Sequence, residues 1–302
     1  MSVDAGLPGA DALTALCTAF GVSDEEAQLL HHRSNAVYLL PAAHGGPVIA
    51  RLAPDTELRR ARAGAGIAVT RWLNQRGSDA IALRPLSGAQ PVFGNGAVAT
   101  FWPYRPSPTA ATLSDVAILL RRLHDQPIPP FPLPRYRPLH RLREALALDA
   151  SRRRPALGHD DHMWLTDRAG ELVAAYAAAR FPLGDGLVHA DAHTENVVST
   201  EHGFVLIDWD GCCIGPRELD LISALPDHFH APEDDRHRFL DVYGYDLLAW
   251  PQWPLLRDIA EMHSLGAYIR LAPDKPRAAE QLAVRLASLR TGDRRIRWSA
   301  IS

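Results

Sequence analysis

The chain has 302 residues, of which 47% are apolar and 22% charged, proportions of a folded globular protein that exclude a disordered one. A net charge of -3, with Lys and Arg scattered along the chain, gives no electrostatic footprint for nucleic acid or an anionic membrane, so neither partner is expected. Three cysteines, two of them adjacent at Cys212 and Cys213, argue against a disulfide framework, and the length predicts two lobes.

The first segment, Met1 to Phe20, carries Asp4 and Asp11 and no basic stretch ahead of its apolar residues, so it does not read as a signal peptide. With no apolar run long enough to span a bilayer, a reducing, cytoplasmic location is expected. Short helices are predicted at Asp11–Phe20 and Asp24–Leu30, followed by a polar turn, Arg33-Ser34-Asn35. Strands are predicted over Val37–Leu40 and Val48–Leu52, joined across Gly45 and Gly46. A helix follows from about Thr56 to Asn74, capped by Asp55 or Thr56 and ending before Gly77. Short strands at Ile81–Leu83, Pro91–Phe93 and Val98–Phe101 complete a small sheet.

The prolines at 103, 106 and 108 favour an extended connector, and the lobe boundary is placed there, giving lobes 1–102 and 103–302. Beyond it the pattern turns helical. Leu113, Leu119, Leu120 and Leu123 fall near one face of a helix over Leu113–His124. After a proline-rich loop, further helices are predicted at Leu139–Arg152, Asp160–Ala179, Leu255–Leu271 and Ala278–Leu289.

The chemistry concentrates in Leu187 to Asp210, which spells H-x-D-x-x-x-x-N from His189 through Asp191 to Asn196 and then Ile-Asp-Trp-Asp at 207–210. Val197–Thr200 and Phe204–Ile207 read as two strands of a hairpin, with Gly203 available for a positive φ. If the turn is centred on His202, Asn196 faces Asp208 at the hairpin mouth, one amide oxygen beside one carboxylate. Such a pair suits Mg²⁺, which takes oxygen ligands and commonly uses one or two carboxylates together with phosphate oxygens. Asp191 on the entering loop is then a candidate to accept the proton of an attacking hydroxyl, with His189 ordering the loop. Asp210 is either a further metal contact or a solvated turn residue. The H-x-D-x-H run of His189, Asp191 and His193 also admits a zinc site of a metallohydrolase.

The loop, the hairpin, the Arg33-Ser34-Asn35 turn, the Val48–Leu52 strand, the connector at Phe101–Tyr104 and Gly215-Pro216-Arg217-Glu218-Leu219-Asp220 together, in this order, resemble the aminoglycoside phosphotransferase family, relatives of the protein kinases. The resemblance covers most of the chain. It implies an α+β, bilobal protein-kinase-like fold, with a small antiparallel N-terminal sheet lobe that binds nucleotide and a larger, mainly helical lobe. It further implies a small-molecule kinase using ATP or GTP with Mg²⁺: Asp191 as catalytic base, Asn196 and Asp208 as metal ligands, and the backbone at Thr100, Phe101 and Trp102 receiving the purine. Ser34 and Asn35 approach the phosphates, and Arg51 stands where many kinases carry a phosphate-pairing lysine.

Two positions depart from the family pattern. Ala190 replaces the glycine common between the histidine and the aspartate. The helix glutamate that pairs with the strand cation is also missing around Gly64, Gly66 and Ile67, so either Glu57 substitutes or other groups hold Arg51. The few residues between Asp208 and Pro216 leave no room for a long activation segment, which disfavours a peptide acceptor. The expected acceptor is a hydroxylated small molecule, an aminoglycoside or another antibiotic-like natural product. The alternatives are a metabolite of amino alcohol, amino sugar or homoserine type, or a kinase-fold binding module without turnover. Asp227, Glu233, Asp234, Glu261 and His263 are candidates to contact a cationic or polyhydroxylated acceptor, and the chain is expected to be a monomer or homodimer.

Overall fold

The computed structural model describes residues 8–32, 35–41, 45–77, 81–106, 109–201 and 203–300. By packing, the chain divides into two compact units, Met1–Pro134 with Gly186–Ile214, and Arg135–Asp185 with Gly215–Ser302. Packing therefore groups the catalytic-loop hairpin with the N-terminal sheet, whereas the sequence division at 102 assigned it to the second lobe.

The first unit is built on five antiparallel strands: β1 (Gln28–His32), β2 (Ala36–Leu40), β3 (Val48–Pro54), β4 (Val92–Gly94) and β5 (Ala97–Pro103), in the order β1-β2-β3-β5-β4. Ala36, Leu40, Val48, Ala50, Leu52, Ala97, Ala99 and Phe101 meet Leu13, Leu16 and Cys17 of helix α1 (Ala10–Phe20) in one core. The alternation of apolar residues along each strand builds this layer, because successive side chains point to opposite faces. Phe20 stacks on Phe101 with ring centroids 4.3 Å apart.

The helix expected at Asp24–Leu30 is instead β1, paired with β2. Glu26 at φ 58° breaks any helical run, and tertiary pairing with β2 overrides the weak local helical pattern. Ile81–Leu83 likewise forms no strand of the small sheet. It makes a single parallel bridge from Ala82 to Leu206 of the catalytic hairpin, with Leu206 N–H donating to Ile81 O at 2.7 Å and Leu83 N–H to Leu206 O at 3.1 Å.

Helix α2 (Glu57–Gln75) starts at Thr56, whose hydroxyl accepts from the Arg59 N–H. Its inner face includes Gly66, whose absent Cβ would lie 3.4 Å from the carbonyl oxygen of Trp209. α2 thus rests on the backbone that leaves the catalytic hairpin. Helix α3 (Leu113–His124), opened by a Thr112/Asp115 capping box, buries Leu119, Leu120 and Leu123 and packs beside that hairpin.

The second unit is mainly helical: α4 (His140–Ala150), α5 (His159–Ala178), α6 (Glu233–Tyr243), α7 (Trp253–Leu271) and α8 (Pro276–Thr291). A core of Leu139, Leu142, Leu146, Leu165, Ile259, Leu265, Ile269, Leu282 and Leu286 joins α4, α5, α7 and α8. The segment after α8 is pinned down. Trp298 is buried, and its indole donates to Ser288 Oγ at 2.9 Å. The buried Arg285 donates to Ser299 O at 3.0 Å and to the Tyr268 hydroxyl at 2.6 Å, with its guanidinium over the Tyr268 and Trp298 rings. The acidic stretch after Pro232 opens α6, where Glu233, Asp234 and Asp235 complement the positive end of the helix dipole.

Gly66→Ala should leave stability within about 1 kcal/mol of the parent, since a methyl at that distance makes ordinary contact and alanine favours helix. Gly66→Leu should cost about 1–3 kcal/mol or more by forcing α2 away from Trp209. Chemical denaturation of the two variants checks the contrast, and equal stability for both would contradict the packing described.

Candidate active site

The site is assembled within the first unit. Strand β6 (Asp185–Val188) delivers the chain to His189, and β7 (Val197–Thr200) pairs with β8 (Gly203–Leu206) as the hairpin that follows. The register differs from the expected one by a single residue. Val197 faces Leu206 and Thr200 faces Gly203, so the loop contains two residues and its symmetry axis falls between 201 and 202. Ile207, not Asp208, lies opposite Asn196, and its N–H donates to Asn196 O at 2.9 Å. A slip of one residue along a ladder sends a side chain to the other face. Asp208 has already left the ladder, however, with left-handed backbone at φ 62°, and its direction is set by that turn and by its partner rather than by the strand.

That partner is Arg51, from the middle of β3. Its Nη2 donates to Asp208 Oδ1 at 2.8 Å and to Asp210 Oδ2 at 3.4 Å. Asn35, at the start of β2, donates from Nδ2 to the same Asp210 oxygen at 3.4 Å. Burial by itself would raise the Asp208 carboxyl, but the charge and hydrogen bond of Arg51 outweigh it and hold the group below the ordinary aspartate range. Burial would likewise lower Arg51, and Asp210 and Asp208 more than offset this, so the guanidinium stays charged. The strand cation is thus held by Asp208 and Asp210 in place of a helix glutamate.

Asp191 sits on the loop before β7 with its side chain 60% exposed. Asn196, buried at the end of a short 3-10 turn (Thr194–Asn196), donates from Nδ2 to Asp191 O at 2.9 Å and Oδ2 at 3.3 Å, with His193 Nε2 at 3.0 Å. These contacts use the Asn196 nitrogen and leave its amide oxygen out of the loop's hydrogen bonds. His189 is fully buried. Its Nε2–H donates to Ile207 O at 2.9 Å, which fixes the tautomer, and its ring meets Trp209 edge-on with centroids 4.6 Å apart. His189 therefore fastens the catalytic loop to the exit of the hairpin.

Ala190 takes φ 63°, a conformation that glycine adopts without penalty and an L side chain does not. The methyl at this family-glycine position is accommodated at a backbone cost.

The donor set Asn196, Asp208 and Asp210 consists of one amide oxygen and two carboxylates, which suits a hard divalent cation bound together with phosphate oxygens. Among the described residues no group of three or more His, Cys, Asp or Glu side chains is arranged to hold a metal, so His189, Asp191 and His193 do not form a zinc site; His189 is committed to Ile207.

Of the nucleotide-facing candidates, Ser34 lies outside the described residues. Asn35, Arg51 and Thr100 line one small cavity together with Arg59 and Asp210. Arg59, which the sequence reading did not single out, lines this cavity; its only signal was a position in the first turn of a helix whose cap, Thr56, is recognisable. The backbone of Phe101 is engaged elsewhere: its N–H donates to Gln90 Oε1 at 2.8 Å and its carbonyl accepts from Leu86 N–H at 3.1 Å. Trp102 donates from its indole to Thr100 Oγ1 at 3.0 Å.

The acceptor candidates lie in the second unit and do not form one cluster. Asp227 caps the Phe229 N–H, Glu233 and Asp234 are exposed on the first turn of α6, and His263 is half-buried on α7. Glu261 is not the accessible carboxylate expected. It is 4% exposed, ion-paired with Arg294, and 3.9 Å from the buried His228. Burial pushes its carboxyl up to about 7 against the opposing pull of Arg294. The three cysteines are buried and free, and burial raises the Cys17 and Cys212 thiols, as packing residues require.

A small antiparallel sheet with a capping helix, a loop carrying an exposed aspartate, and a hairpin exit bearing two carboxylates define a class, the small-molecule kinases of protein-kinase-like fold. The sequence matches the phosphotransferase enzyme family (APH) over residues 26–259, well over half of the chain, and the chain belongs to that family. No curated protein sequence matches it. Among solved structures it is similar to the amicoumacin kinase hAmiN in complex with AMP-PNP, Ca²⁺ and Ami, at 16% identity and a TM-score of 0.70, covering 94% of each chain. It is similar also to a choline/ethanolamine kinase family protein from Mesorhizobium loti, at 17% identity and TM-score 0.59 over 88% of this chain and 87% of the other. The aminoglycoside phosphotransferase APH(4)-Ia matches at 16% identity and TM-score 0.59, over 93% and 99%. No described helix is long and apolar enough to cross a membrane.

Two outcomes follow from this geometry. Ala190→Gly should raise stability by about 1 kcal/mol by removing the left-handed penalty, read as a shift in the denaturation midpoint. For Glu261, a folded-state value near 7 against an unfolded value of 4.5 means that the folded chain binds the extra proton, so stability falls as pH rises between them. The stability difference between the parent and Glu261→Gln should therefore move by about 2–3 kcal/mol against the parent from pH 4.5 to 7 and stay flat above; a pH-independent difference would contradict it.

Proposed function

We propose that this chain transfers the γ-phosphoryl group of ATP or GTP to a hydroxyl of a small, hydroxylated, antibiotic-like molecule. The observation that carries the reading is the exposed Asp191 carboxylate held by the buried Asn196 amide, on a loop that His189 fastens to the turn bearing Asp208 and Asp210. A phosphoryl-transfer site needs little covalent chemistry from the protein and depends on positioning and on charge compensation.

Asn196, Asp208 and Asp210 would hold Mg²⁺, whose chemistry is to neutralise phosphate charge. Asp191 orients the acceptor hydroxyl and takes its proton as the oxygen attacks phosphorus. Asn196 fixes the Asp191 carboxylate through its Nδ2, leaving the opposite face of the amide as a ligand. Arg51, bound to both carboxylates here, is the group that meets phosphate oxygens when a nucleotide enters, and its bidentate fork suits that task. Asn35 and the segment Thr100–Trp102 serve the nucleotide, with Ser34 assigned beside Asn35. The Phe101 amide and carbonyl are spent on Gln90 and Leu86, which leaves the base to the neighbouring backbone.

The nucleotide and cation assignment draws support from relatives whose structures hold AMP-PNP with Ca²⁺, or GDP with kanamycin. For the acceptor, the accessible acids Asp227, Glu233 and Asp234 favour a cationic or polyhydroxylated compound, and Glu261 serves the fold instead. Asp191→Asn should lower kcat by about 10²–10⁴-fold with nucleotide affinity nearly unchanged. The measurement is acceptor-dependent ADP release across a panel of hydroxylated antibiotics and amino alcohols. Turnover retained by Asp191→Asn would sink the assignment.

A further inference from the structure

Helix α2 brings a second cation to the nucleotide cavity. Arg59 lies one turn into α2, its backbone N–H bound to the Thr56 cap at 3.3 Å, which fixes where its side chain leaves the helix. Its Nη1 donates to Asn35 Oδ1 at 3.3 Å, and the other end of the same amide donates to Asp210. Arg59, Arg51, Asn35, Thr100 and Asp210 line one cavity, floored by the small side chains Ala53 and Ala63.

The charges there are informative. Arg51 is matched by two carboxylates, Asp208 and Asp210. Arg59 donates to the Asn35 amide oxygen and lines the same cavity as Arg51. The adjacent Arg60 behaves differently. It is 54% exposed, ion-paired with Asp55, and directed over the Phe93 ring at 5.0 Å. Two successive arginines of one helix thus serve different surroundings, and only Arg59 faces the cavity.

We propose that Arg59 is a phosphate-binding residue of the nucleotide site: where the helix opposite the strand cation would offer a glutamate, this chain offers a second guanidinium, and the phosphate chain is gripped by Arg51 and Arg59 together. The proposal rests on the nucleotide reading above. A triphosphate brings about four negative charges, and two guanidinium forks on one cavity meet more of its oxygens than one does. Asn35 acts as the positioning residue, tying Arg59 to Asp210 across the cavity.

The test is calorimetric titration of the full chain with MgATP and MgGTP, and separately with adenosine and guanosine, which lack phosphates. Arg59→Gln should weaken triphosphate binding about ten- to a hundredfold while nucleoside affinity changes less than about twofold. The dependence of triphosphate affinity on salt should flatten in the same variant, because one ionic contact is gone. Arg59→Lys should recover part of the loss, and Arg60→Gln should bind as the parent does. Should Arg59→Gln fail to fold, Arg59→Lys carries the test, with triphosphate affinity reduced several-fold and nucleoside affinity unmoved. Unchanged triphosphate binding, or an equal loss for triphosphate and nucleoside, overturns the role of Arg59. A parent chain that binds triphosphate no better than nucleoside overturns the nucleotide reading itself, which separates the two failures.

Discussion

The guanidinium of Arg51 between Asp208 and Asp210 is the interaction on which the active site depends. Two carboxylates separated by one residue, on a turn with left-handed backbone at Asp208, repel each other and lose solvation as they are buried. A cation projecting from β3 offsets both costs and ties the N-terminal sheet to the turn that leaves the hairpin. The same arrangement explains why the chain does without a helix glutamate. Its usual task, holding the strand cation in place, falls here to Asp208 and Asp210, and the helix presents Arg59 to Asn35 instead.

The neighbouring contacts extend this economy. Asn196 anchors Asp191 with one end of its amide, and Asn35 links Arg59 to Asp210 with both ends of its own. His189 spends its Nε2 proton on Ile207, so the loop before the hairpin and the turn after it move as one piece. Asn196 and Asn35 each orient a charged side chain with a neutral amide, which fixes geometry without adding charge.

Much of this was legible in the sequence. The H-x-D-x-x-x-x-N spacing and the Ile-Asp-Trp-Asp run located the acids, and five of the helices from Leu113 onward followed from their helical pattern, whereas α6, in a charged stretch with little apolar periodicity, was not foreseen. The register of the hairpin was not legible, because Glu201-His202-Gly203 is compatible with a turn of either two or three residues and only the ladder distinguishes them. β1 was misread because a five-residue strand with a bulge has too little alternation to outweigh a local helical pattern. Glu261 looked accessible because its neighbours Arg294 and His228 are 33 residues away in the chain on either side and reach it only in the folded molecule. Arg59 was invisible for the same reason: an arginine in a helix carries no sign of what it faces.

The close approach of α2 to Trp209 limits which residues position 66 can carry. Because Gly66 leaves no side chain between the helix and that backbone, the two surfaces meet without an intervening layer, and Asp208 and Asp210 flank the point of contact. A side chain larger than a methyl at position 66 would separate the helix from the segment that bears both acids, so a residue with no functional group of its own sets their spacing from α2.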